Sequence, residues 1–207
     1  MKKVICLFGV SNVGKSTIAT ILERNLRGVH VTPIDKWKRF LENVYELPHK
    51  SLNTQEGKRA PVGEVTAGTV LEDSYHFWAE RDPSFGAQCL TAQLNELSAI
   101  EEETIIVESL RFPEEVRRLK QFATLNDYSL IAFHIKSTKR GKIKSTDKQV
   151  GHCITLFPRH SPLVSINNDN RYPTDTANEI EDWIAGFEHN STNYDAEYIE
   201  QMRTSDV

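Results

Sequence analysis

Short unbroken apolar runs alternate along the chain with stretches whose apolar residues recur every three or four positions. "KKVICLFGV" carries the run Val4–Val10 and predicts a fully buried parallel strand. "KSTIATILERNL" sets Ile18, Ile21, Leu22 and Leu26 on one helical face. "GVHVTPID" reads as a second short strand ending in a loop. "KWKRFLENVYEL" follows as a helix, with Trp37, Phe40, Leu41, Val44 and Tyr45 on one face, most of them expected in the core. Residues 48–68, polar and rich in Pro, Gly and Lys, predict a loop or mobile insertion. Two helices follow, broken at Asp82–Pro83, because the residue before proline resists the helical region. Ile105–Val107 in "ETIIVESLRF" is a buried strand. "PEEVRRLKQFATL" is a helix with Pro113 in its first turn. "YSLIAFHIKS" is another strand, "TKRGKIKSTDKQVGH" a basic loop, "LVSINND" a last short strand and "TANEIEDWIAGF" a closing helix.

Strands alternating with helices predict an α/β fold of three layers, a central parallel sheet with helices on both faces. Ligands of such sheets bind beyond the carboxyl ends of the strands. The loops after Val10, Ile34, Val107 and Ile135 are therefore expected to converge on one cleft. The expected organisation is one domain over residues 1–187, with the insertion at 48–68 and a lid-like basic segment at 137–160. A polar tail, residues 188–207, follows.

Between the first strand and helix lies "GVSNVGKST", a G-x-x-x-x-G-K-[ST] loop in the strand–loop–helix context this motif requires. Gly9 and Gly14 let the backbone turn tightly. The N–H groups of Val10, Ser11, Asn12, Val13, Lys15, Ser16 and Thr17 are then available, with the helix N-terminus, to hold phosphate. Lys15 can reach the β- and γ-phosphates of ATP, and the Ser16 hydroxyl can ligate Mg²⁺. The bland alternative is a glycine-rich connecting turn. No guanine-reading Asn-Lys-x-Asp segment is found, and "IIVES" offers Glu108 alone where a motor ATPase would carry an acidic pair. The size and the late basic loop suit a small-molecule kinase with a closing lid.

The 207 residues carry a net charge of −4, which argues against non-specific nucleic-acid binding. Three cysteines (Cys6, Cys89, Cys153) without paired spacing suggest neither a disulfide framework nor a zinc site, and a reducing cytosol is the simplest home. Nothing reads as a membrane span or signal peptide.

"IIVESLRFPEEVRRLK" resembles the "VVSDVRFPNE" strand–loop–helix of phage-type deoxynucleoside monophosphate kinases, with Arg111, Phe112, Pro113 and Glu115 matching. "YHFWAERDPSFGAQCL", "TPIDKWKRFLENVYEL" and "VSINND" resemble that family's "FREIDPDFWVRAL", "ADPLKEALAEVFGL" and "VIDNDG" in the same order. The resemblance implies a P-loop kinase fold with a small lid, and transfer of the γ-phosphoryl of ATP to a deoxynucleoside monophosphate with Mg²⁺. It also implies small-molecule nucleotide partners and, for a phage-encoded protein, action in the host cytoplasm; a homodimer is compatible with it. The family's Asp before the V-R-F-P run aligns with Ser109, so Glu108 would have to substitute from the opposite face of the strand.

Arg111, after a strand at the expected cleft, suits the acceptor's phosphate; the alternative is a surface arginine paired with Glu114 or Glu115. Glu108 suits Mg²⁺ through water, or simply caps the sheet edge. Lys139, Arg140, Lys142 and Lys144 form a cationic run that could neutralise transferring phosphate, Arg140 first among them, or merely be a solvated face. Asp35, Lys36, Trp78, Arg81 and Asp82 are candidates for the acceptor pocket. Trp78 could equally be core, and Asp82 a helix cap.

Overall fold

The computed structural model describes residues 1–138, 149–159 and 161–189. Five parallel strands form one sheet in the order β2 (Val29–Val31), β5 (Thr104–Glu108), β1 (Lys3–Phe8), β6 (Ser129–Lys136), β7 (Leu163–Asn167). β1 lies at the centre, with Ile5 opposite Ile106 on one side and Ile131 on the other. Both its faces are covered, which is why it reads as an unbroken apolar run. Val4, Cys6 and Phe8 pack with Leu90 and Leu94 of α5 (Phe85–Ala99) and with Val116, Leu119 and Phe122 of α6 (Pro113–Leu125). Ile5 and Leu7 pack with Ile18 and Leu22 of α1 (Lys15–Asn25) and Ile180 and Ile184 of α8 (Pro173–His189). The three-layer α/β fold is thus the one expected. No helix among the described residues is long and apolar enough to cross a membrane.

A second, smaller core sits apart from the sheet. Leu41 of α2 (Asp35–Val44), Leu52, and Ala67 and Leu71 of α4 (Ala67–Arg81) bury one another, flanked by Trp37, Val62 and Val70. This corrects the loop expected at 48–68. That segment forms a 3₁₀ turn (Ser51–Asn53), α3 (Gln55–Lys58) and a hairpin of β3 (Pro61–Val62) and β4 (Val65–Thr66), turning through Gly63 at φ +61°. The fully buried Leu52 anchors it. Buried Glu42 accepts hydrogen bonds from Lys50 N (3.0 Å) and Leu52 N (2.9 Å). Thr66 Oγ1 caps α4 by accepting from Thr69 N at 3.2 Å.

The apolar face of α2 is also corrected. Leu41 is buried, but Phe40, Val44 and Tyr45 are 51%, 54% and 42% exposed. α2 packs on this narrow core and not on the sheet, so only part of its apolar face is covered.

The stretch 137–160 is corrected in part. α7 (Val150–Thr155) lies within it, and Val150, Cys153 and Phe157 are buried, so this portion is anchored to the main core. Lys139, Arg140, Lys142 and Lys144 lie outside the described residues. Ahead of them, Asp169 accepts from Ser137 Oγ (2.6 Å), Thr138 N (3.0 Å) and Thr138 Oγ1 (2.6 Å), fixing the point where the chain leaves β6.

Candidate active site

Beyond Phe8 the chain turns sharply. Gly9 has φ +142°, and a Cβ there would stand 2.5 Å from Ile135 O; Gly14 has φ +93°. Asn12 also takes the left-handed conformation, at φ +65°. Asn168, just after β7, braces the loop from behind: its Nδ2 donates to Val13 O at 2.9 Å, and its Oδ1 accepts from Thr176 Oγ1 at 2.6 Å. Nothing in the sequence reading singled out Asn168, although it follows a strand at the sheet's carboxyl end. Ser11, Asn12 and the first residues of α1 line a cleft of about 1430 Å³, while Gly9, Val10 and Val13 support it from within. The amino end of a regular helix, with the loop's amides ahead of it, is thus set at the cleft. Lys15 is nearly buried, its Nζ donating to Val10 O at 2.7 Å.

Glu108 ends β5, which the pairing of Leu7 with Glu108 sets beside the end of β1. It shares the α1-side face with Ile106, since side chains two apart in a strand point the same way. There it accepts from Ser16 Oγ at 2.8 Å. His30 of β2 comes close on the other side, its Nε2 3.5 Å from Glu108 Oε1 and without a hydrogen-bond partner among the described residues. Burial pushes the Glu108 carboxyl up, but His30, the Lys15 charge and the Ser16 hydroxyl outweigh it and hold it down at about 2. Glu108 is therefore ionised at neutral pH, and it meets Ser16 from the α1-side face of β5. Ser109 sits at φ +62° beyond the strand, its Oγ donating back to Glu108 Oε2 at 3.0 Å. A hydroxyl and an ionised carboxylate beside a phosphate loop are hard oxygen donors, the set that suits Mg²⁺.

Arg111 follows in the same loop. Its guanidinium reaches Ser11 Oγ at 3.2 Å, so it is turned to the phosphate loop and not out to solvent. Its backbone is held by Glu115, which is fully buried and accepts from Arg111 N at 2.7 Å and Phe112 N at 3.1 Å. Burial pushes the Glu115 carboxyl up, and those hydrogen bonds oppose it.

The far wall of the cleft belongs to the small subdomain. Lys38, Arg39, Lys50, Lys58 and Arg59 line it, five cations that the sequence reading had not assigned. Asp35 lines it too, but its oxygens are engaged by Thr32 N (2.6 Å), Thr32 Oγ1 (2.8 Å) and Lys38 Nζ (2.9 Å). The other acceptor-pocket candidates are not brought to the cleft. Lys36 pairs with Glu96 of α5. Trp78 stacks on Phe85, Arg81 lies 3.6 Å over the ring of Phe77, and Asp82, in the turn between α4 and α5, accepts from Ser84 N at 2.9 Å without capping α5. The reason is axial position: the cleft follows α4 as far as His76, and residues 78–82 run past it.

No protein-family model matches the chain, and no curated protein does. Solved structures do. A protein described as a candidate kinase from Chloroflexus aurantiacus superposes with a TM-score of 0.53 at 13% identity, over 89% of this chain and 97% of that one. The shikimate kinase of Aquifex aeolicus gives 0.48 at 14% identity, over 91% and 98%. The APS kinase of Mycobacterium tuberculosis, in complex with AMPPNP and APS, gives 0.47 at 12% identity, over 89% and 98%. At such identities the likeness is one of fold, and the Chloroflexus protein carries it.

Proposed function

We propose that this protein is a P-loop kinase that moves the γ-phosphoryl of ATP to the phosphate of a nucleoside monophosphate, giving the diphosphate. One observation carries the reading: a single cleft has the phosphate loop, Lys15 and Arg111 at one end and Lys38, Arg39, Lys58 and Arg59 on the facing wall. Carboxylates such as Glu23, Glu72, Asp73 and Glu96 line the same cleft. It is therefore the grouping of Lys15 and Arg111 at the loop and of Arg39, Lys58 and Arg59 on the subdomain side, not an excess of positive charge, that favours an anionic acceptor. The deoxyribose preference rests only on the resemblance of four collinear segments, the one around Arg111 among them.

The loop amides and Lys15 hold the donor's phosphates, and Arg111 draws the acceptor phosphate toward them. The acceptor oxygen is already ionised, so it attacks the γ-phosphorus without a strong base, and the bond to the β–γ bridging oxygen breaks as the new one forms. Positioning and charge stabilisation then supply most of the catalysis. Ser16 and Glu108 are the residues that would hold Mg²⁺, Glu108 through water, and the ion would supply charge neutralisation at the donor's phosphates. Arg140 is the lid cation in this reading. A hydroxyl acceptor would call on Asp35 or Glu108 as base, and both carboxylates already have partners.

The test is ADP release measured over a panel of ribo- and deoxynucleoside monophosphates, nucleosides and small sugars. Turnover that depends on monophosphates supports the reading. Turnover with hydroxyl acceptors alone, or ATP binding without any acceptor dependence, overturns it.

A further inference from the structure

Three separate segments meet at one buried carboxylate. Glu115 accepts from the amides of Arg111 and Phe112 through one oxygen, while its other oxygen accepts from the Tyr75 hydroxyl of α4 at 2.9 Å. α5 leaves room for this only by carrying glycine: a Cβ on Gly86 would fall 2.3 Å from Glu115 Oε1 and 2.6 Å from Tyr75 Oη. The Tyr75 ring packs 6.0 Å from both Phe85 and Phe112. Of the buried residues of α4, Ala67 and Leu71 belong to the small subdomain's own core, and Tyr75 is the one reaching the β5–α6 loop. At the other end of that loop, the Arg111 guanidinium meets Ser11 of the phosphate loop. A continuous path of contacts thus runs from the acceptor-side helix to the donor site.

We propose that the Tyr75–Glu115 hydrogen bond is a latch through which the seating of α4 sets the position of Arg111 beside the phosphate loop. Tyr75 and Glu115 are positioning residues: Glu115 is fully buried and the Tyr75 hydroxyl is spent on it, although Tyr75 also lines the cleft. The path joins two parts of the molecule with separate cores, and a phenylalanine at 75 would fill the same space without the link. A tyrosine whose only polar atom is spent on the carboxylate that holds the Arg111 backbone ties acceptor-side closure to cation placement. The kinetic half of the claim rests on the proposed phosphoryl transfer; the structural half does not.

Tyr75→Phe removes one hydroxyl and keeps the ring. Hydrogen exchange on the full chain is expected to quicken about tenfold at the Arg111 and Phe112 amides, with β1 and β5 amides unchanged, as for loss of one buried hydrogen bond. With the acceptor that the panel identifies, kcat is expected to fall about tenfold while ATP affinity holds. Glu115→Gln, of equal volume, should shift both readouts in the same directions. Unchanged exchange at residues 111 and 112 in both variants overturns the latch. Faster exchange with wild-type kcat overturns its role in positioning, because a merely structural contact would behave that way. Exchange needs no acceptor, so a protein without acceptor-dependent turnover would refute the proposed function while the latch is still decided.

Discussion

Ser16 Oγ donates to Glu108 Oε1 at 2.8 Å, tying the first turn of α1 to the last residue of β5 across 92 positions of sequence. The register of β1 against β5 makes this contact possible, with Glu108 buried and Ser16 open to the cleft. It joins the two oxygen donors best placed to hold Mg²⁺.

Glu108→Gln keeps the shape and removes the charge. The Mg²⁺ concentration for half-maximal ADP release is expected to rise about 10–100-fold. Mn²⁺ binding in the presence of a non-hydrolysable ATP analogue, read by electron paramagnetic resonance, should weaken in parallel. Unaltered metal dependence would remove Glu108 from the site.

The same carboxylate makes stability depend on pH. Glu108 is held at about 2 in the folded protein against an ordinary 4.5. Above pH 4.5 it is ionised in both states, and its stabilisation is fully present. As pH falls from 4.5 towards 2, the unfolded chain gains a proton that the folded one refuses, and up to about 3 kcal/mol is lost. Urea unfolding of wild type and Glu108→Gln should therefore show a gap that narrows over that window. A gap independent of pH would contradict the assignment.

Lys15→Ala is expected to reduce turnover by orders of magnitude, because in the proposed reaction it removes the phosphate-loop cation that holds the donor's phosphates. The fold should survive with a cost of about 1 kcal/mol, since Val10 O loses its hydrogen-bond donor. ADP release and circular dichroism check the two halves, and a variant that keeps its rate would refute the role of the loop.

Leu52→Ala tests whether residues 48–68 are a folded unit. Leu52 is fully buried in the small core, so truncation should cost about 2–5 kcal/mol locally. Limited proteolysis should then cut within 48–66 well before the sheet domain opens. Equal resistance in wild type and variant would mean that the small core does not hold the segment.

Gly86→Ala places a methyl against Glu115 and Tyr75 and is expected to destabilise by about 1–3 kcal/mol in thermal or urea unfolding. An Ala that is neutral there would show that α5 can back away from the carboxylate.

The layers of the fold and the phosphate loop were legible in the sequence because both are written locally. A strand covered on both faces must be apolar throughout, so β1, β5 and β6 announced themselves. The loop's glycines, lysine and serine are contiguous and lie between the strand and helix that define their geometry. Helical period also told which residues of α2 share a face. It did not tell that Phe40, Val44 and Tyr45 would stay exposed, because coverage depends on what lies opposite.

Local pattern alone thus determined the element order, the three layers and the donor loop. Tertiary structure decided the rest: that Glu108 and not Ser109 meets Ser16, that Arg39 and Arg59 face the donor loop across one cleft, and that α4 carries Trp78 past it. It also decided that a polar stretch with one leucine becomes a folded subdomain. Most of these contacts join residues distant in sequence, and each depends on strand register, helix length or burial by other segments, quantities that no window of neighbouring residues contains.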